Sequence, residues 1–204
     1  MSNTSNSDMK KAILSLLDKL SGIDYINPES IPNIDLYMDQ VTTFMDEKLQ
    51  ATTRNPGEDK ILTKTMINNY AKNNLLPPPV KKKYSREHVL MLIFIYYFKN
   101  ILSIKDIERL FDPISEQNFN SKKELSLTDI YEEVCSLQKS RVEPLAKDIA
   151  RKYKLSTESF EDAPADEKEY LQLFSFICSL SFDVYVKKQI IEKLVDTLPE
   201  PNHK

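Results

Sequence analysis

Two glycines in 204 residues leave this chain almost without the residue that turns hairpins and lets a backbone close on a phosphate. Phosphate-cradling loops of the P-loop or dinucleotide type need such glycines and are excluded. So is a fold built on many tight β-turns, and the chain is expected to be predominantly helical. Cysteine is equally scarce. Cys135 and Cys178 lack CxxC spacing and are too few for a disulfide framework. Each sits in a helix-periodic apolar pattern and reads as a reduced core residue, which suits the cytoplasm. The two histidines, His88 and His203, stand apart, and no His/Cys/carboxylate group has metal-ligand spacing. Neither a metal nor a cofactor is expected, and nothing in the pattern reads as an enzyme. Long hydrophobic runs are missing too. The longest, Val89 to Phe98, is ten residues, against roughly 20 for a bilayer span. Met1 to Asp8 is polar Ser/Asn rather than a basic stretch followed by an apolar one, so neither a secretory signal nor a membrane partner is expected.

What is present is an uneven charge. The formal net charge of −3 hides a segment, Lys60 to Arg109, with ten Lys/Arg against three Asp/Glu, while the remainder carries eighteen against twenty-eight. A local excess of positive charge attracts polyanions even in an acidic chain, which makes nucleic acid the leading candidate partner.

Apolar spacing predicts a helix over Met9 to Leu20, an extended connector holding Pro28 and Pro32, and a second helix from Ile34 to Leu49. Gln50 to Lys60, with Asn-Pro-Gly, reads as a loop. Thr63 is placed to cap a helix ending near Asn73, with Met66, Ile67 and Tyr70 inward and Lys64, Thr65, Asn68, Asn69 and Lys72 outward. Asn73 and Asn74 suit a left-handed helix end, and Pro77, Pro78 and Pro79 forbid continuation. Val80 to Tyr84 is long enough for one strand or hairpin arm. Ser85 caps a buried helix to about Asn100, and Ser103 caps another, Ile104 to Phe111, with Ile104, Ile107, Leu110 and Phe111 inward. Asp112 to Lys123 reads as a polar linker. A helical pattern from Ser126 to about Lys154 meets Pro144, which kinks it or splits it. After an acidic loop, Ser156 to Asp166, the last pattern runs from Glu167 to Leu198, with a possible break near Phe182 and Asp183. Acids around it, such as Asp166 and Glu167, suit a helix N-terminus.

The order of elements from Leu62 to Phe111 resembles the winged helix-turn-helix of the mercury-resistance-regulator (MerR) family of bacterial transcription regulators. The resemblance rests on Thr63 to Tyr70, Leu75-Leu76-Pro77-Pro78, the basic run Lys81-Lys82-Lys83-Tyr84-Ser85, and Ser103-Ile104 leading to Ile107. The chain also looks like an uncharacterised Gram-positive bacterial family that carries this segment behind an Ile34–Gln40 helix. The likeness implies an all-α fold: an N-terminal helix and connector (1–33), a winged helix-turn-helix domain with a short basic wing (34–112), and a C-terminal helical bundle (124–198). It makes Ile34 to Leu49 the first helix of the helix-turn-helix, and it implies a homodimer paired through Ser126 to Lys154. Departures are plain: Thr65 and Asn68 stand where the larger family carries arginines, and Asn74 replaces a glycine.

On this reading the partner is double-stranded DNA. Lys81, Lys82, Lys83 and Arg86 neutralise phosphates. Thr65, Asn68 and Asn69, flanked by Lys64 and Lys72, face base edges in the major groove. Tyr84 hydrogen-bonds a phosphate or packs on the core. The same lysines fit a solvated loop, and the same asparagines a neutral helix exterior. The expected function is a cytoplasmic transcription regulator, a repressor or modulator. The alternatives are a helical protein-interaction adaptor on the same scaffold, and a small-molecule sensor with Tyr170, Phe174, Phe176, Phe182 and Tyr185 around a pocket.

Overall fold

A computed structural model describes residues 26–119, 125–139 and 141–201, with Lys11 and Ser15 ahead of them, both helical. The rest of the helix expected over Met9 to Leu20 lies outside the described residues. The elements are β1 (Leu36–Tyr37), α1 (Met38–Leu49), α2 (Lys64–Lys72), β2 (Lys83–Tyr84), α3 (Arg86–Phe98), α4 (Ile104–Asn118), α5 (Leu127–Lys139), α6 (Val142–Thr157) and α7 (Ala165–Asp196). The fold is mostly helical, as composition predicts. Two compact units divide it: the described residues of 26–135 with 191–201, and those of 136–190.

The first unit is organised around α3. Every residue from Val89 to Ile95 is buried, so this helix is apolar all round and needs neighbours on every side. Val41, Phe44, Met45 and Leu49 of α1, Ile67 and Tyr70 of α2, Ile107 and Phe111 of α4, and Leu127 and Tyr131 of α5 join it in one cluster. Each such side chain contributes roughly 1.5–3 kcal/mol when fully buried. The Tyr131 hydroxyl donates to the Ile26 carbonyl at 2.7 Å, tying α5 to the connector. On α4, Arg109 donates to the Pro199 carbonyl at 3.2 Å and to Glu200 at 2.7 Å, which anchors the chain beyond α7.

Several boundaries differ from the sequence expectation. Helix α1 starts at Met38, not Ile34, because Leu36 and Tyr37 are drawn into an antiparallel ladder with Tyr84 and Lys83. The Gln40 side chain then accepts the Tyr37 N–H at 2.8 Å. Helix α4 continues to Asn118 through Pro113, where a linker was expected from Asp112. Ile107, Phe111 and Ile114 keep one apolar face against the core, and this packing outweighs the single backbone bond that proline removes. Ile104, expected inward, is exposed. The Ser126 to Lys154 stretch is split into α5 and α6, and Pro144 falls in the first turn of α6, where its missing N–H costs nothing.

In the second unit α7 packs along α6. Gln172 donates to the Thr157 and Ser159 carbonyls at 2.8 and 3.1 Å, Phe176 meets the Tyr153 ring edge-on at 5.5 Å, and Lys152 pairs with Asp183 at 2.5 Å. With Asp183 held and no glycine or proline within it, α7 runs unbroken past Phe182 and Asp183, where a break was expected. Cys135 is buried as expected, but Cys178 is exposed. No helix among the described residues is long and apolar enough to cross a membrane.

Candidate nucleic-acid interface

Helix α2 begins because Thr63 supplies an acceptor: its Oγ1 takes the Met66 N–H at 3.2 Å, satisfying one of the free donors of the first turn. Ile67 and Tyr70 are buried and Met66 half-buried, which leaves Lys64, Thr65, Asn68, Asn69 and Lys72 on the exposed side. The helix stops at Asn74, in the left-handed region at φ 57°, and the Leu75 and Leu76 N–H groups both return to the Tyr70 carbonyl at 2.9 and 3.2 Å. Both leucines are fully buried, so the reversal is fixed from inside. Asn73, the other candidate for this conformation, keeps a negative φ.

Beyond the prolines the chain folds into a two-residue hairpin turn. The Lys83 N–H donates to the Val80 carbonyl at 2.9 Å, and Val80 and Lys83 form an antiparallel bridge. Lys81 and Lys82 have φ of 50° and 63°, positive at both central positions as in a type I′ turn. Asn-Gly is the usual occupant, and a left-handed L-residue costs about 1–2 kcal/mol. The strain puts two adjacent ammonium groups at a tight, exposed tip.

Two contacts bring this tip and α2 to the same place. The Lys83 ammonium lies 5.3 Å from the centre of the Tyr37 ring, a cation–π contact, while Lys64 is ion-paired with Asp39. Tyr37, at the end of β1, is thus touched by the base of the basic turn, and Asp39, in the first turn of α1, by the first residue of α2. Both members of the Lys64–Asp39 pair are well exposed, so the pair contributes little to stability, but it offsets one positive charge locally.

Two of the sequence-predicted residues leave the exposed set. Tyr84 is 3% exposed, with its ring edge-on to His88 at 5.5 Å, and burial raises the pKa of its hydroxyl. Strand alternation turns Lys83 outward and Tyr84 inward. Arg86 is half-buried and clamps the connector: its two terminal nitrogens donate to the Ile31 and Pro28 carbonyls at 3.2 and 2.9 Å. A cleft of about 530 Å³ beside it is lined by Asp35 and Glu87 as well as Arg86. Two carboxylates against one engaged guanidinium do not make a phosphate site.

Sequence reasoning passed over Tyr37, Asp39 and the structural use of His88. Tyr37 was hidden by the expectation of a helix through it. His88 is 1% exposed, wedged between Tyr84 and Phe119, the latter at 4.7 Å. Its Nδ1 accepts the Ser85 N–H at 3.0 Å, the role Glu or Gln plays in a capping box; the Ser-x-x-His spacing was the available signal. Burial lowers its pKa, against smaller opposing pulls from the Pro78 and Pro77 carbonyls and from Glu87 and Asp35. The neutral ring therefore fixes the junction between the basic turn and α3.

The aromatic residues expected around a small-molecule pocket do not converge. Phe176 is buried towards α6, whereas Tyr170, Phe174, Phe182 and Tyr185 are exposed. Among the described residues no three His, Cys, Asp or Glu side chains gather as a metal ion requires.

Against known proteins, the family described as Domain of unknown function (DUF1836) matches residues 26–134. No curated protein and no solved structure matches the chain.

Proposed function

As a member of the family described as Domain of unknown function (DUF1836), whose match spans just over half of the chain, this protein presents its basic elements within family-defining residues, and we propose that it is a DNA-binding transcription regulator. In this reading α2 is a recognition helix and Val80–Lys83 a short wing, arranged as in the MerR-like winged helix-turn-helix that the sequence resembles. The observation that supports it is that Lys83 lies over Tyr37 while Lys64 pairs with Asp39 two residues on, so the base of the basic turn and the start of α2 both reach the β1–α1 junction. Lys81, Lys82, Lys83 and Lys72 neutralise phosphates, releasing counterions. Thr65, Asn68 and Asn69 offer the methyl and amide groups that read thymine and adenine edges. Tyr84 and Arg86 hold the scaffold instead of touching DNA. The protein acts without metal or cofactor, in the cytoplasm, as a repressor or local modulator.

The test is binding to promoter DNA, its own first, with the salt dependence measured. Replacing Lys81, Lys82 and Lys83 with Ala should flatten the slope of log affinity against log salt by about 2.7, at roughly 0.9 per lost phosphate contact. Absence of binding at about 50 mM salt, or a slope indifferent to the three lysines, overturns the proposal. The Lys64–Asp39 pair and the lack of arginine on α2 favour a second reading, a protein-interaction adaptor on the same scaffold. A single captured protein partner with no promoter protection selects it.

A further inference from the structure

Helix α7 is covered by α6 on one side and carries an exposed apolar stripe on the opposite side. Gln172, Phe176 and Asp183 face α6 through the contacts described above. Turned away from them are Tyr170, Phe174, Ile177, Ser181 and Val184, spaced alternately four and three residues apart, all exposed. This alternation is the seam of a coiled coil, where side chains of one helix seat in holes of another. The Tyr170 and Phe174 rings are already stacked, 6.4 Å apart and 22° from parallel, so the surface is preformed. Tyr185 and Cys178 flank it.

We propose that this stripe docks against the same stripe of a second copy of the chain. The argument for that occupant is area. Tyr170, Phe174, Ile177, Val184 and Tyr185 are each 50–68% exposed. At roughly 150–250 Å² for a whole aromatic side chain, the stripe offers on the order of 550 Å². That is near the upper limit of the apolar patch a monomer keeps in water. Two copies closing on each other remove about 1,100 Å², which clears the roughly 1,000 Å² that a biological interface needs. A self-complementary seam satisfies both copies at once by two-fold symmetry. The Ser126 to Lys154 stretch, which the resemblance designates for pairing, is divided between α5 and α6, while α7 is one continuous helix of 32 residues.

Sedimentation and light scattering of the full chain at about 50 μM, without DNA, test this independently of the proposed function. The expected species is a dimer. Phe174→Glu and Ile177→Glu, both at exposed positions, should raise the dimer dissociation constant at least about 100-fold while leaving helical circular dichroism intact. A short bismaleimide should cross-link Cys178 in the dimer, and Phe174→Glu should abolish the cross-link. A monomeric full chain overturns the proposal. So does a dimer that both variants leave unchanged.

Discussion

Replacing Lys81 with Asn and Lys82 with Gly puts the usual type I′ pair at the tip of the basic turn and separates its two consequences, strain and charge. The wild-type lysines sit at φ 50° and 63°, each at a cost of about 1–2 kcal/mol. Asn tolerates this region through local hydrogen bonding, and Gly carries no steric cost there at all. Against the relief stands the extra freedom glycine gives the unfolded chain, roughly 0.4–1 kcal/mol. Relief at both positions is about 2–4 kcal/mol, so the net gain is about 1–3.5 kcal/mol, and each kcal/mol raises the melting temperature by about 2–4 °C in a protein of this size. If the proposed function holds, the same variant removes two phosphate contacts, and the salt slope of DNA binding should flatten by about 1.8. Thermal melting and fluorescence anisotropy over a salt series read the two effects separately. A melting temperature that stays or falls refutes the strain, and a salt slope that stays refutes the contacts. A gain in stability joined to a loss in binding is the outcome expected where strain is retained for function.

His88→Gln tests the neutral cap: the histidine pKa is lowered by burial, so its stabilisation is complete above about pH 6.5 and is lost as pH falls towards the depressed folded value. Urea midpoints of the wild type should drop between about pH 7 and about pH 5, whereas Gln keeps an acceptor for the Ser85 N–H without titrating; parallel curves would refute the assignment. Arg86→Ala should cost about 1–3 kcal/mol in urea, because the Pro28 and Ile31 carbonyls lose their donors. It should leave the salt slope of DNA binding alone, and a slope smaller by about one would return Arg86 to the phosphate contacts. Asp39→Asn frees Lys64 from its ion pair and should tighten binding about fivefold, the ratio that roughly 1 kcal/mol commands; weaker binding would show that Asp39 positions the lysine instead of opposing it.

What was legible in the sequence was local. Thr63 ahead of Met66, Ile67 and Tyr70 defines the start and inner face of α2, and Asn74 before the prolines defines its end, because cap, periodicity and breaker all lie within a few residues. The outward placement of Lys64, Thr65, Asn68, Asn69 and Lys72 follows from that periodicity alone. The β1–β2 ladder was illegible: two-residue strands have no period, and nothing near Leu36 announces that Tyr84 is its partner. The burial of Tyr84 and the backbone clamp made by Arg86 were hidden for the same reason. Once the ladder is known, alternation turns Tyr84 inward, and the carbonyls Arg86 clamps belong to a connector far away in sequence. In α4 the signal was present but outvoted, since Ile107, Phe111 and Ile114 continue one face while Pro113 reads as a stop. Cys178 was assigned to a core because helical spacing says that a residue lies on an apolar face, not that anything covers the face.

The proposed interface and the proposed seam solve different halves of one energetic problem. A recognition surface with no arginine, one lysine paired with Asp39, and three lysines on a turn is a weak reader. Sequence-independent contacts of that kind bind at about 10⁻⁴–10⁻⁶ M at physiological salt. Linking two such surfaces makes the second contact intramolecular, at an effective concentration of the order of millimolar. Two sites of about 10⁻⁵ M then act together near 10⁻⁷ M, a gain of about 100-fold obtained without adding a base contact. Thr65, Asn68 and Asn69 need supply only modest discrimination under those conditions, since doubling the site doubles the free energy separating a matched sequence from a mismatched one. If the proposed pairing and the proposed DNA binding both hold, a chain whose exposed apolar surface is used for pairing has less need of arginines on the helix that reads DNA.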